Sequence, residues 1–459
     1  MSDLTTADIV APAAGRYPNR QPKAVYLLFG VEMWERFSYY GMRAFLVLFL
    51  VSKSGGFGWS KEDAGILYGW YTGLVYLTPL LGGYLADRVL GTHRAVIVGS
   101  CLIASGHFCL AVPQKVTFFL GLCLIILGTG FHKANLTTMV GQLFELGDPR
   151  RDAAFTIYYM GVNTGGLLGP LVCGSLAENE NFGWHWGFAS AGVGMVLGTV
   201  LYVLLRRRYL GNIGEPPAGR HKTREARPAE HRPLTRAEKE RIAAIAIMAF
   251  FQVLFFSAFE QAGSSMNFFA KERTDRTLFG WEIKTSYFQS INSFGILAFG
   301  PMFASLWVRL GARGREPATT IKFVWGLLLV AGGFGILTIA ARISESGVLV
   351  SPLWLLTVYL LHTWGELSIS PVGLSMVTKL APPQIGSFMM GLWYTSLFLG
   401  NLSAGLLASQ QEKIANGAVF HFFGGQADYF FIFFLGPLAG AIGLLIFSRK
   451  LDLLMHGRA

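Results

Sequence analysis

Residues 24–50 read AVYLLFGVEMWERFSYYGMRAFLVLFL, an apolar stretch in which two acids and two bases are embedded. The stretch is long enough to cross a lipid bilayer as a helix, which takes about 20 predominantly apolar residues. In lipid, a helix satisfies each backbone N–H and C=O group within the segment itself. We therefore predict that the chain crosses a membrane here.

The rest of the sequence repeats this pattern. Of the 459 residues, 52% are hydrophobic and 14% are charged, a balance too apolar for a water-soluble domain of this size. No cleavable secretion signal is expected, because residues 1–23 are polar and interrupted by prolines. Twelve stretches long enough to span a bilayer follow one another: 24–50, 62–86, 95–112, 116–145, 153–175, 187–205, 241–269, 285–308, 319–341, 352–380, 385–409 and 429–448.

One long polar segment divides these stretches into two sets of six. It opens with three consecutive arginines at 206–208 and is rich in Pro, Glu and Arg. Many secondary transporters have this layout, with the substrate site between the halves. We predict an all-α integral membrane protein with a central cavity, divided as follows: a cytoplasmic tail (1–23), an N-terminal six-helix bundle (24–205), a cytoplasmic linker (206–240), a C-terminal six-helix bundle (241–448) and a cytoplasmic tail (449–459).

The distribution of basic residues predicts the orientation. Most of the 38 Lys and Arg residues fall in segments on the same side as the two termini. Short cytoplasmic loops carry the basic excess of membrane proteins, so both termini are expected in the cytoplasm. The same bias, facing anionic headgroups, explains the formal net charge of +11 without a nucleic-acid partner.

The first span carries charges that lipid does not tolerate. At about 100° per residue, its polar side chains share or border one face of the helix: Glu32, Glu35, Arg36, Tyr39, Tyr40 and Arg43. A charge exposed to hydrocarbon costs at least about 2 kcal/mol, so this face must meet a bundle interior or an aqueous cavity. A salt-bridge cluster that only fixes helix packing is the alternative, but two acids and two bases on one stripe exceed what packing requires.

The fourth span carries Lys133 within an apolar run, and a carboxylate of the first span is its expected partner. Protonating the Glu of such a pair removes the attraction, which can tie proton binding to a change in helix packing. His132 lies about 100° away around the helix. For His132 we favour a core or hydrogen-bonded histidine over a proton relay.

The second half offers Glu260 and Glu366, one acid in each of two spans, with no Lys or Arg in the membrane interior of that half. Each must be protonated, be paired with a base of the first half, or await a cationic ligand. Bases in one half facing acids in the other suit a zwitterionic solute with an ammonium and a carboxylate. They equally suit ion pairs that lock the halves together, and we favour the zwitterion.

Uncharged polar and aromatic residues in other spans are candidates for a cavity lining, although each alone is weak evidence. They are Tyr76, Tyr159, Asn163, Gln289, Asn292 and Trp393. His362 and Glu366 have the i, i+4 spacing of two metal ligands, which would be needed for an intramembrane enzyme. Because the sequence has no HExxH motif, a hydrogen bond between them is the preferred interpretation and no enzyme is predicted.

Two kinds of motif resemble known families. The run GGYLADRVLGTHR at 82–94 looks like the signature loop of the major facilitator superfamily. ExxERFSYYG at 32–41 resembles the hallmark of the proton-dependent oligopeptide transporter family, and so do segments along the whole chain. These are GxGxxKxN at 128–135, the stretch 155–165, FEQ at 259–261, QSIN at 289–292 and GELSISPVGLSMVTKLAP at 365–382.

The resemblance implies the major facilitator fold and proton-driven uptake of di- and tripeptides by alternating access, with the proton as coupling ion and no other cofactor. It further implies a bilayer-embedded protein, acting as a monomer in a bacterial inner membrane. The proton-coupling positions are Glu32, Glu35, Arg36, Lys133 and Glu260. The substrate-binding candidates are Arg36, Tyr39, Tyr40, Arg43, Tyr76, Lys133, Tyr159, Asn163, Asn292, Glu366 and Trp393, with Glu366 where the family binds the peptide amino terminus.

The sequence departs from the family pattern at two places. Ala134 stands where the family usually has Pro, and the linker is too short for the extra helix pair common in bacterial members. The alternative function is proton-coupled transport of another small solute, such as nitrate, a drug or an amino-acid derivative. An acid at 366 is expected for peptides and is of little use for an anion.

Overall fold

The computed structural model describes residues 20–145, 148, 150–215 and 233–456. Most of the tail predicted at 1–23 and much of the linker predicted at 206–240 lie outside these residues, as do the last three residues of the chain. The described residues fold almost entirely into helices.

The N-terminal half contains six long helices: α1 (Lys23–Val51), α2 (Lys61–Leu85), α3 (Thr92–Ala111), α4 (Lys115–Gln142), α5 (Arg150–Ala177) and α6 (Trp184–Tyr209). The C-terminal half contains α7 (Arg236–Phe259), α8 (Ser265–Glu272), α9 (Tyr287–Ala312), α10 (Thr319–Ser344), α11 (Pro352–Leu380), α12 (Gly386–Ser409), the short α13 (Gln411–Ala415) and α14 (Gln426–Leu454). A hairpin of β1 (Thr277–Leu278) and β2 (Trp281–Glu282) precedes α9.

A 3-10 turn at Glu260–Gly263 joins α7 to α8, so the two helices form one broken span. With that span counted once, the long helices match the twelve predicted stretches, and the predicted two-bundle fold class is confirmed. Seven spans of the described chain are long and apolar enough by composition alone to cross a membrane. The charged α1 is not among them, and most of its residues are buried inside the protein.

Local sequence sets where several helices begin. The Ser60 side chain accepts a hydrogen bond from the backbone N–H of Asp63 at 3.0 Å and caps α2. Thr235 and Glu238 form a reciprocal capping box at the start of α7. Between α2 and α3, Gly91 adopts a φ of 73°, which a side chain would disfavour, and α3 begins at the next residue.

The two bundles meet on the side opposite the termini. There α2 packs on α12 and α5 packs on α9. Gly69 lies so close to Gly405 that a Cβ on Gly69 would sit 2.9 Å from the Gly405 Cα. On the side of the termini, a cavity of about 660 Å³ opens between α5, α9, α10 and α11. The molecule is thus closed on one side and open on the other.

Candidate functional site

The acids and bases of α1 form a buried cluster. Arg36 Nε lies 3.0 Å from Glu32 Oε1 and 2.5 Å from Glu35 Oε2. All three side chains are at most 2% exposed. The Arg36 guanidinium therefore pairs with both carboxylates. Charges inside a membrane protein require such partners.

Tyr158 of α5 completes this cluster, and the sequence did not point to it. Its hydroxyl donates a hydrogen bond of 2.6 Å to Glu32 Oε2 and lies 3.1 Å from the hydroxyl of Thr137 on α4. Three helices are thus joined at Glu32. No sequence signal distinguishes Tyr158 from its neighbour Tyr159, because only the rotation of α5 against α1 decides which of them reaches the acid.

In this conformation Lys133 contacts an aromatic ring instead of the first-span carboxylate predicted as its partner. Its Nζ lies 4.2 Å from the centre of the Tyr76 ring, a cation–π contact. Within the described part of the chain, no carboxylate forms an ion pair with it. The physical reason is that Arg36 already occupies both first-span carboxylates. A Lys133–Glu pair remains a prediction for another state of the molecule.

Glu260 is paired across the two bundles. Arg43 Nη2 lies 2.7 Å from Glu260 Oε2, and the side chains are 6% and 5% exposed. The Arg43 guanidinium also lies 5.7 Å from the Tyr40 ring centre and 5.9 Å from that of Tyr68. Of the three states expected for Glu260, the structure shows the pairing with a base of the first half.

Glu366 of α11 has no such cation. The Asn292 amide of α9 donates a hydrogen bond of 2.9 Å to Glu366 Oε2. Among the residues described, no Lys or Arg lies within ion-pair distance of this carboxylate. A carboxylate held by an amide and left without a base is free to receive an ammonium group.

A central cavity of about 70 Å³ lies between the bundles. It is lined by six of the predicted site residues, Tyr40, Arg43, Tyr76, Glu260, Asn292 and Glu366. Tyr159 and Asn163 line the larger cavity instead. Both cavities are bordered by α9 and α11: Asn292 and Glu366 border the small one, and Ile296 and Leu367 border the large one.

Four predicted binding residues line neither cavity: Arg36 and Lys133, whose contacts are given above, and Tyr39 and Trp393. Tyr39 is 1% exposed and stacks on Tyr71 of α2, with ring centres 6.4 Å apart. Trp393 is 2% exposed and packs against Phe323 and Gly373 in the core of the C-terminal bundle. Neither lines the two cavities, so their contact with substrate stays a prediction.

Side-chain amides of the second half bind the backbone of the first. Gln289 Nε2 and Asn267 Nδ2 donate hydrogen bonds of 3.1 and 2.9 Å to the same acceptor, the Ala44 carbonyl of α1. Gln289 also lines the central cavity. Asn267 was not singled out from sequence, and its only signal is an amide within an otherwise apolar span.

The pair considered as metal ligands does not form a site. His362 lies among aromatic rings, 4.8 Å from the ring centre of Phe334 and 6.4 Å from that of Phe259. Glu366 is hydrogen-bonded to Asn292 rather than to His362. In the described residues, the donor group that could surround one ion is instead Glu32, Glu35 and His132. The Arg36 guanidinium already contacts both acids of that group.

The sequence is similar to characterised peptide transporters. A family model described as the POT family matches residues 93–219 and 230–422. The chain is 36% identical over 441 residues to the peptide transporter YePEPT of Yersinia enterocolitica, which covers 83% of this chain and 86% of that protein. It is 30% identical over 493 residues to the di-/tripeptide transporter of Lactococcus lactis subsp. cremoris, with 95% and 96% covered.

Solved structures share the fold. A mutant of the peptide transporter POT in complex with alafosfalin superposes with a TM-score of 0.83 at 34% identity, covering 96% of this chain and 97% of that one. A POT family transporter in complex with 5-aminolevulinic acid gives a TM-score of 0.84 at 30% identity, covering 94% and 97%. The similarity therefore extends over both bundles and the cavity between them.

Proposed function

This chain belongs to the POT family, and from that premise we propose that it is a proton-coupled symporter that imports di- and tripeptides by alternating access. The observation that supports this most directly is the charge arrangement at the central cavity. Glu366 on one bundle has no basic partner among the described residues. The bases proposed for the site, Arg36, Arg43 and Lys133, all belong to the other bundle.

A peptide with free ends fits this arrangement. Its ammonium group binds Glu366, replacing water with a charge-assisted contact. Its carboxylate reaches the bases of the N-terminal bundle, where Lys133 is the one with no carboxylate partner among the described groups. Tyr40, Tyr76 and Asn292 line the space between the two ends. The proposed substrate-binding residues also include Arg36, Tyr39, Arg43, Tyr159, Asn163 and Trp393.

The proposed proton-coupling groups are Glu32, Glu35 and Glu260, with Arg36 and Lys133. In this conformation Arg36 holds the first two acids and Arg43 holds the third. Protonating an acid releases its base, and a released base can bind the peptide carboxylate or a different acid. Proton binding is in this way linked to the position of the helices that carry the charges.

The asymmetry of the two sides supports alternating access as the transport mechanism. The bundles are in contact opposite the termini and a cavity of about 660 Å³ opens on the termini side. We place both termini in the cytoplasm of a bacterial cell and the protein in its inner membrane, so the structure represents the inward-open state. Each bundle, 24–205 and 241–448, moves as a unit around the linker 206–240, and the single chain is sufficient for transport.

An amino-acid derivative is a second candidate substrate, because a similar transporter binds 5-aminolevulinic acid. That compound also carries an amino group and a carboxylate, so it satisfies the same charges. Neither candidate requires a catalytic residue or a cofactor besides the proton.

The test is counterflow in proteoliposomes preloaded with dialanine, with labelled dialanine outside. We expect di- and tripeptides to compete with labelled dialanine. At the same concentrations, 5-aminolevulinic acid and nitrate should compete only weakly. Stronger competition by 5-aminolevulinic acid than by every peptide would favour the second candidate. Competition by nitrate alone would overturn both.

A further inference from the structure

His132 of α4 is a buried titratable group for which the proposed mechanism has no role. It is fully buried, and neither ring nitrogen has a hydrogen-bond partner in the structure. A buried imidazole without partners is costly, because both nitrogens lose their bonds to water. A nearby group that can bond to the imidazole in another state would therefore stabilise that state.

The geometry identifies the group to which it can bond. One ring nitrogen of His132 and one carboxylate oxygen each of Glu32 and Glu35 all lie within 4.8 Å of one another. A single bridging water or a change of rotamer closes such a separation. Glu32 already accepts a hydrogen bond from Tyr158, whereas Glu35 Oε1 has no hydrogen-bond partner. Glu35 is therefore the carboxylate with an oxygen to share.

The surrounding charges favour a proton over a metal ion at this place. The Arg36 guanidinium contacts both carboxylates and occupies the position that a cation would need. The other titratable groups around the cluster are Lys133 of α4, Tyr158 of α5, Tyr40 of α1 and two tyrosines of α2, Tyr71 and Tyr76, with the Tyr76 ring beneath Lys133. Helix α3 also packs here. It contacts His132 through Gly99 and has no acid, Lys or Arg between residues 95 and 111.

We propose that His132 is part of the proton-binding cluster, where its imidazole accepts a hydrogen bond from the protonated carboxyl group of Glu35. The step is a proton uptake by Glu35: a solvent proton forms the new O–H bond, the ion pair with Arg36 is lost, and the O–H group donates to the free imidazole nitrogen. His132 acts as a positioning residue that stabilises the protonated state. The inference rests on the proposed proton coupling and assigns it a further residue.

The chain offers a matched control in His107 of α3. It is also fully buried, and neither of its ring nitrogens has a partner. It is not part of the donor group at Glu32 and Glu35. Replacing either histidine by Phe has the same effect on burial, but only His132 can affect the proton on Glu35.

The test compares His132→Phe, His132→Gln and His107→Phe in proteoliposomes. The pH at which proton-driven dialanine uptake is half-maximal should move about one unit toward acid in His132→Phe, the size of one lost hydrogen bond. Counterflow, which needs no net proton movement, should fall far less. His132→Gln keeps an acceptor and should show a smaller shift, while His107→Phe should keep the wild-type profile.

A wild-type pH profile in His132→Phe, or the same shift in His107→Phe, overturns the inference. If the wild-type protein exchanges no peptide, the proposed function fails and the inference is judged by infrared titration of the purified protein. The C=O band of a buried protonated carboxyl group, assigned by its loss in Glu35→Gln, should then respond to His132→Phe and not to His107→Phe. An unchanged band in His132→Phe rejects it.

Discussion

Among single residues, Glu366 has the most direct consequence for substrate recognition. We predict that Glu366→Gln weakens transport of peptides with a free amino terminus about 10- to 100-fold, because a charge-assisted contact becomes a neutral one. Competition assays with dialanine and N-acetylated dialanine measure this. The acetylated peptide should lose much less affinity in the variant, and dialanine transport at the wild-type rate would refute the role of Glu366.

The coupling residues separate proton-driven uptake from exchange. Replacing Glu32 or Glu35 by Gln should abolish uptake driven by a proton gradient, because an amide cannot alternate between an ionised and a neutral state. Counterflow should persist in part. Lys133→Ala should lose both activities, since Lys133 is proposed to serve coupling and the peptide carboxylate. Normal proton-driven uptake in Lys133→Ala, at wild-type expression, would move the coupling site toward Glu260.

Removal of the Arg43–Glu260 ion pair should affect stability and transport activity differently. Removing one partner leaves a buried charge unpaired, and either Arg43→Met or Glu260→Gln should destabilise the protein by about 3–5 kcal/mol. The double variant removes both charges of the pair and should regain most of the lost thermal stability in detergent, although not its transport activity. Additive destabilisation in the double variant would show that the two side chains are not coupled.

At the scale of helices, the crossing of α2 and α12 depends on glycine. Gly405 faces the backbone of Gly65 and Gly69, so a Cβ at 405 has no room. We predict that Gly405→Ala destabilises the contact by about 1–3 kcal/mol and separates the two helices on the side opposite the termini. Spin-label distances across that side and the melting temperature measure both effects.

Gly391→Ala on the same helix is the control for that prediction. A Cβ at 391 would lie at an ordinary distance, 3.6 Å, from the end of the flexible Leu80 side chain. The spin-label distances and the melting temperature of Gly391→Ala should remain close to those of the wild type. Equal effects of the two substitutions would mean that helix propensity, and not the close approach of α12 to α2, is responsible.

At the scale of the whole molecule, the side opposite the termini is held closed by contacts between the bundles. The Glu178 carboxylate after α5 accepts hydrogen bonds of 2.9 Å from the backbone N–H groups of Thr285 and Ser286, just before α9. Exposed ion pairs also cross this side, Lys61–Glu272 and Lys413–Glu62, each at 2.8 Å. Exposed pairs contribute little, so the Glu178 contact should dominate among these.

We therefore predict that Glu178→Ala shifts the population toward the state open on that side by about tenfold, or roughly 1.4 kcal/mol. Spin-label distances across the closed side, or cysteine accessibility there, report this shift. The neighbouring Glu180 is exposed, and Glu180→Ala should leave the population unchanged. A shift in Glu180→Ala of the same size would point to overall charge and not to the hydrogen bonds at α9.

The fold could be predicted from the sequence because a bilayer imposes its constraint locally. Each span must satisfy its own backbone, so twelve apolar stretches and one polar linker define two bundles without reference to distant residues. The polar face of α1 follows from helical period alone. The predicted residues that line the central cavity, among them Tyr40, Asn292 and Glu366, belong to the charged face or to family motifs.

The i, i+4 spacing of Glu32 and Arg36 on one helix allows their pair, but the partners of Glu260 and Lys133 were decided by the tertiary structure alone. Arg36 pairs with Glu32 and Glu35, and Arg43 pairs with Glu260. Lys133 forms a cation–π contact with an aromatic ring. The placement of Tyr158 at Glu32, of His132 beside Glu35 and of Trp393 in a bundle core likewise depends on how each helix is rotated. That rotation is set by packing between helices far apart in the sequence, including contacts at glycines, and helical period within one span carries no information about it.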